Sequence, residues 1–307
     1  MIKDKQKLLA VLALIGVVIT WGVSPIVSKY MLNSYSPGVK RLLDAIFATM
    51  ALGLICNRQV TKIDRKVLKV SLFVGVCFAL AMILEGVALA YTTPAKSSFF
   101  GNVTCITVPV FAALFAKMAP GIGKVLAGLI CIAGFGVIIF GDGTVLSFSL
   151  GDALTLLSGV FYGATTAAIA TWGKHMNSVV VTFLEFLVTI PFCAAYVFLF
   201  EEVQFSWNVR DILIIAVAAV LVQGVCWLLR NFAVRHLDAG LVAIVASFST
   251  LVSGIVSILA KMDVFSWNLV IGGSLCVGAA IVSGVAGKFE RGVKRESAEE
   301  PITEDIV

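Results

Sequence analysis

Charged side chains are scarce in this chain: Asp, Glu, Lys and Arg make up 13% of its 307 residues, about half of the roughly 25% usual for soluble domains. Apolar residues reach 60% and the mean hydropathy is +1.03, which argues against a water-soluble enzyme, a nucleic-acid binder or a disordered scaffold. Histidine is nearly missing. His175 and His236 stand alone at the ends of apolar runs, so a metal centre or a histidine-activated nucleophile has little to be built from, and neither cofactor nor catalytic residue is expected. The seven cysteines (Cys56, Cys77, Cys105, Cys131, Cys193, Cys226 and Cys276) are scattered through apolar segments without a CxxC pair and read as small core residues. The net charge of +5 would suit a nucleic-acid partner if the basic residues were spread out. They sit instead in short clusters between long apolar runs, the pattern of a protein whose partner is a lipid bilayer.

Those runs locate the spans. Leu8 to Ser28, Ser97 to Ala116, Val125 to Gly141, Ala153 to Gly173, Ile212 to Leu229, Ala239 to Ala260 and Val264 to Gly287 carry no charge and approach or exceed the roughly 17 to 25 residues that cross a hydrocarbon core as helix. Three more appear when an internal charge is allowed: Gly38 to Asn57 with Arg41 and Asp44, Val70 to Thr92 with Glu85, and Ser178 to Phe200 with Glu185. The expectation is an all-α integral membrane protein of ten helices. With the N-terminus inside, 17 of the 23 Lys and Arg residues fall on the cytoplasmic side, which predicts a multi-pass plasma-membrane protein with both termini cytoplasmic. The first run is longer than a signal-peptide core and lacks a small-x-small cleavage site, so it is expected to stay in the mature protein.

The halves repeat in order. Trp21-Gly22 aligns with Tyr162-Gly163 at an offset of 141, Arg41 with Glu185 at 144, Leu84-Glu85 with Leu229-Arg230 at 145, and Gly128 and Gly134 with Gly272 and Gly278 at 144. Residues 8–141 and 150–287 thus read as two five-helix copies. An odd number of helices per copy makes the second enter the membrane from the opposite side, as an inverted repeat. Secondary transporters are built this way, with substrate held near the midplane between repeats. Residues 288–307 turn from basic to acidic and lose hydrophobic periodicity, the composition of a disordered cytoplasmic tail.

Trp21-Gly22, Pro37-Gly38-Val39-Lys40-Arg41, the run from Ala88 to Ala95, Pro109 with its apolar neighbours, and the echo Ala233-Val234-Arg235-His236-Leu237-Asp238-Ala239 resemble, in their order, EamA-type members of the drug/metabolite transporter superfamily. The resemblance covers nearly the whole chain outside both tails. It implies helices one to four and six to nine around a central cavity, with the fifth and tenth at the periphery, and transport of amino acids, nucleotide-related metabolites, amines or other small organics. Glu85 and Arg230 depart from the pattern, which more often has uncharged residues there.

Polar residues within the spans supply the candidate site. Thr20, Ser24 and Ser28 share one face of the first helix, Ser158, Tyr162 and Thr166 one face of the sixth, Ser98 and Asn102 pair on the fourth, and Ser249, Ser253 and Ser257 line the ninth. Such residues either glue helices together or line a cavity. Trp21, Ser24, Asn102, Tyr162, Gln223, Trp227 and Ser253 are the candidates for lining. Gly272, Cys276, Ala280 and Gly284 form a small-residue ridge for packing within the chain or against a second copy in a homodimer. Intramembrane charges are functional candidates by default: Arg41, Glu85, Glu185 and Arg230 could gate, couple to protons, hold substrate, or pair structurally. Their depths favour two symmetry-related pairs, Arg41 with Glu85 and Glu185 with Arg230. The function expected is secondary transport of a small polar or amphiphilic metabolite, an amino acid or amine, by alternating access. A lipid-modifying membrane enzyme and a nontransporting scaffold or sensor are the other classes, and the dispersed carboxylates argue against the enzyme.

Overall fold

Leucines and isoleucines, rather than lysines and glutamates, mark the outside of this bundle. On the first helix Leu8, Leu12, Ile15 and Ile19 are all exposed while Ala10, Leu14 and Val17 are buried, so the apolar stripe that helical periodicity would send to a soluble core also faces outward. The computed structural model describes residues 2–56, 64–117, 122–140, 148–173, 175–237 and 239–299. The helices are α1 (Ile2–Met31), α2 (Pro37–Cys56), α3 (Arg65–Tyr91), α4 (Pro94–Gly101), α5 (Thr104–Phe115), α6 (Ile122–Phe140), α7 (Leu150–Thr171), α8 (Ser178–Phe200), α9 (Val209–Ala218), α10 (Trp227–His236), α11 (Ala239–Leu259) and α12 (Trp267–Glu299), with a π-helical segment, Ala219–Cys226, joining α9 to α10.

Among the described residues, six segments are long and apolar enough to cross a membrane: Leu8–Met31, Arg65–Tyr91, Pro94–Phe115, Leu150–Thr171, Ser178–Phe200 and Val209–Val234. Val125–Ile138, Val245–Leu259 and Trp267–Val282 are shorter apolar helices, and α2 carries Lys40, Arg41 and Asp44 in its first two turns. Two of the expected helices are interrupted. The fourth breaks at Asn102–Val103 into α4 and α5, and the eighth carries the π segment. At the other end of the chain α12 continues to Glu299, so the expected tail is helical through its first dozen residues; the remainder lies outside the described residues.

Packing is exchanged between the halves in a two-fold manner. α2 packs on α8 and α6 on α12; α1 against α11 is matched by α7 against α5, and α3 against α7 by the π segment and α10 against α1. Close approach at equivalent glycines supports it: a methyl group on Gly22 would lie 2.5 Å from Val252, and one on Gly163 would collide with Thr107. The non-glycine residues with left-handed backbone are Lys117 (φ 53°) and Lys261 (φ 58°) among the described residues, 144 positions apart, each just past its helix. The small-residue ridge of α12 is used within the chain. Cys276 and Ala280 are buried, and a methyl on Gly272 would lie 2.6 Å from the Gly134 carbonyl of α6.

Two apolar clusters define the ends of the bundle. Ala10, Leu14, Val74, Ile169, Val181, Val234 and Val242 meet at the end where α1 begins, called the near end here. Met31, Tyr35, Val39 and Ile215 meet at the far end.

Candidate functional site

The two interrupted helices face each other across a cavity of about 220 Å³ lined by α1, α2, α3, α4, α5, α7, the π segment, α10 and α11. This is below the roughly 300–1,000 Å³ of sites for drug-sized ligands and suits a small metabolite. The break after Gly101 carries Asn102 on the wall, and the π segment carries Gln223 there. Both interruptions are local. At the first the chain tightens into three-residue turns, with Asn102 N donating to Phe99 O, Val103 N to Phe100 O and Cys105 N to Asn102 O at 2.9–3.1 Å. In the π segment one extra residue per turn re-aims the side chains that follow, a feature frequent at functional sites.

Six of the seven residues expected to line a cavity do so: Trp21, Ser24, Asn102, Tyr162, Gln223 and Trp227. Ser253 does not. It is fully buried behind the wall, where its hydroxyl accepts from Ser98 at 2.7 Å and joins α11 to α4; of the α11 serine stripe, Ser249 reaches the cavity. Tyr162 stacks on Trp227 with centroids 5.5 Å apart, and Trp21 tilts against Trp227 at 5.2 Å. The indole of Trp227 is held by its Nε1–H, which donates to Gln223 Oε1 at 3.0 Å.

Three of the four candidate charges, Arg41, Glu85 and Arg230, also reach this wall. Arg41 donates to Glu85 at 2.8 Å, and Tyr162 donates to the same carboxylate oxygen at 3.1 Å. Asp44 lies 3.5 Å from Arg41 and accepts from Lys40 at 2.6 Å. The expected partner pair is built differently. Glu185 is fully buried and off the wall, and it makes no direct ion pair with Arg230: Asn231 stands between them. The Asn231 amide nitrogen donates to Glu185 Oε2 at 3.2 Å and to Thr182 at 2.9 Å, while its oxygen accepts from Arg230 at 3.0 Å. Arg230 also donates to the Thr166 hydroxyl. Glu185 Oε1 has no hydrogen-bond partner.

The repeat explains this asymmetry. Asn231 occupies the position that Gly86 holds in the first half, at the same offset of 145 as Glu85 and Arg230. At Gly86 an added methyl would lie 2.7 Å from Arg41 Cγ and 2.9 Å from its Nε, so glycine leaves room for Arg41 to reach Glu85. In the second half a side-chain amide fills that room. Asn231 bonds two of the candidate charges without being evident as a candidate from the sequence; aligning the halves one position beyond Glu85 points to it.

The far end is tied by side chains at helix termini. Glu201 accepts from Gly38 N at 2.8 Å, Val39 N at 3.1 Å and Ser36 Oγ at 2.9 Å, capping the electropositive start of α2. Lys29 reaches the last carbonyls of α3, bonding Leu89 and, at 2.9 Å, Thr92. Asp263 accepts from Ala95 N at the start of α4 at 3.1 Å. Ser36 N donates to Gln204 O at 3.0 Å, joining the two halves. In the other direction Val234 and Val242 extend the cavity lining toward the near end. A second hollow of about 450 Å³ between α1, α2, α9 and the π segment shares Ser24, Val222 and Gln223 with the cavity. Its outer walls include the exposed Leu213, Val217 and Leu221. Among the described residues no aromatic ring lines it, and its charges are the mutually paired Lys40 and Asp44.

The sequence matches the EamA-like transporter family over residues 8–140 and again over 149–285. It is 23% identical over 281 residues to a protein of Archaeoglobus fulgidus named an uncharacterized transporter, covering 90% of this chain and 86% of that protein. A solved crystal structure superposes with a TM-score of 0.67 over 92% of this chain and 98% of the other at 17% identity, a likeness of fold. With both halves matched and the helical, outwardly apolar bundle in place, the chain belongs to the EamA-like transporter family of the drug/metabolite transporter superfamily and is a multi-pass membrane transporter.

Proposed function

We propose that this protein is a secondary transporter that carries a small polar or amphiphilic metabolite, of the amino-acid or amine class, across the plasma membrane by alternating access. The observation that carries this reading is the cavity itself. It lies between the two halves, is reached by both interrupted helices, and combines an aromatic wall with charged groups. Interrupted helices at the interface of repeats are where transporters bind substrate, and charges deep in a bundle are retained for function. In this reading ten helices cross the bilayer as two inverted five-helix repeats, with both termini cytoplasmic. The tied far end is the closed outer gate, and the cavity is reached from the near end. Trp21, Ser24, Asn102, Tyr162, Gln223 and Trp227 hold substrate; Arg41 and Glu85 form a gate that opens as the repeats rock. Glu185 serves as the protonatable group, because a fully buried carboxylate with an unpartnered oxygen is relieved by taking up a proton.

The test is thermal stabilisation of the purified protein across a metabolite library, followed by flux of each stabilising compound in proteoliposomes. Saturable, stabilising compounds that are also carried are expected. Stabilisation without flux under any imposed gradient would leave a binding protein or sensor instead.

A further inference from the structure

The charges on the cavity wall are not equally matched. Arg41 has Glu85 at 2.8 Å and Asp44 at 3.5 Å, and Lys40 has Asp44 at 2.6 Å. Arg230 is 7% exposed and lines the same wall, yet among the described residues no carboxylate lies within 4.0 Å of it. Its bonds go to two neutral acceptors, the Asn231 side-chain oxygen and the Thr166 hydroxyl.

Both acceptors are fixed in that role. Thr166 spends its own proton on the Tyr162 carbonyl at 2.7 Å. Asn231 turns its nitrogen toward Thr182, whose own proton goes to the Ser178 carbonyl at 2.7 Å, and so presents its oxygen to Arg230. The guanidinium carbon lies 5.0 Å from the centroid of Trp227, within cation–π reach. A guanidinium has five N–H donors, and among the described residues two bonds from it are made to the protein. Glu185 is held behind Asn231 and off the wall. A molecule in the cavity therefore meets a desolvated, oriented guanidinium with donors to spare, beside stacked aromatic rings.

We propose that Arg230 is the anchor for a carboxylate of the transported molecule, so that the cavity takes organic anions and zwitterions in preference to simple amines. The proposal rests on the transporter reading and narrows it. Buried guanidinium groups recognise carboxylates through paired, charge-assisted hydrogen bonds. One guanidinium charge is balanced by one carboxylate, whereas a phosphate dianion would leave a negative charge uncompensated in a desolvated site. The apolar part of the substrate lies against Trp21, Tyr162 and Trp227.

Three probes that share a phenyl ring isolate the head group: 3-phenylpropionate, phenylalanine and phenethylamine. Their binding to the detergent-purified full chain is read by calorimetry or by indole fluorescence at neutral pH. The two carboxylates are expected to bind at least tenfold tighter than the amine. Arg230→Gln should weaken carboxylate binding ten- to a hundredfold, about 1.4 to 2.8 kcal/mol, and leave the amine unchanged; Arg230→Lys should keep part of the preference. If Arg230→Gln fails to fold, the ranking of the three probes on the unaltered protein decides alone. Amine binding as tight as carboxylate binding, an unchanged preference in Arg230→Gln, or no saturable binding of either carboxylate overturns the anchor. Should any of these occur while other compounds are carried in proteoliposomes, the transporter reading stands and only the carboxylate assignment falls. A phenyl phosphate arm that outcompetes 3-phenylpropionate would likewise overturn it.

Discussion

Glu85 and Glu185 are both acids inside apolar helices, and their surroundings separate them. Glu85 has Arg41 and Tyr162 on one oxygen, and its side chain keeps 33% of its accessible surface. Glu185 has none, and its single accepted bond comes from a neutral amide. Removing one partner of a buried pair strands the other, at a cost of roughly 3–5 kcal/mol when both are enclosed; partial solvation of Glu85 and the nearby Asp44 reduce this to about 1–2 kcal/mol. Glu85→Gln is therefore expected to lower the melting temperature in detergent, whereas Glu185→Gln, which removes an enclosed charge lacking a contact cation, should leave it unchanged or raise it. A larger loss in Glu185→Gln would refute the assignment. Arg41→Glu and Glu85→Arg are each expected to impair transport at matched expression, and the double exchange should recover a measurable part. A double variant no better than the worse single would remove the gate.

Among the elements, the π segment carries the sharpest consequence. A π turn takes up about one residue more than an α turn, so deleting Leu221 lets α9 and α10 join as one continuous α-helix with Trp227 and Arg230 kept at nearly the same rotation relative to α9. Only side chains inside the segment, Gln223 among them, are re-aimed. The expected outcome is unchanged helical content by circular dichroism with ligand-dependent stabilisation reduced but not abolished; complete loss of stabilisation would show that the phase of α10 is not kept. The fourth helix makes the complementary point. Its run is uncharged from Ser97 to Ala116 and apolar apart from Ser97, Ser98, Asn102 and two threonines, and hydropathy passes over the break because an interruption inside a protein bundle needs no hydrophilic stretch. Asn102, a polar residue within the run, was the available signal.

For the molecule as a unit, rocking of two halves requires the far end to open. Ser36 and Gln204 lie in different halves and are joined by a backbone bond of 3.0 Å. Ser36→Cys with Gln204→Cys, once oxidised, should abolish flux while keeping ligand-dependent stabilisation, and a reductant should restore flux. Full flux in the locked protein would exclude opening at this point. Orientation is tested separately. Lys3→Cys and Glu300→Cys in a cysteine-free background are expected to resist an impermeant thiol reagent in intact cells and to label after lysis; labelling of either before lysis would overturn the proposed topology.

Membrane class, helix content and internal duplication were legible along the chain, because scarcity of charge, run length and a steady offset near 144 are one-dimensional quantities. The same offset pointed to Arg41 with Glu85 and to Glu185 with Arg230. What it could not weigh was a neighbour: Gly86 leaves space for the first pair, and Asn231 fills the corresponding space in the second. Nor could it aim Ser253, which a helical face places with the lining residues and packing turns toward Ser98. Rotation about a helix axis is set by contacts between helices and by interruptions of a single residue, and these decide which faces converge. The cavity, with its matched Arg41 and unmatched Arg230, exists only once the apolar helices that line it have been turned to face one another.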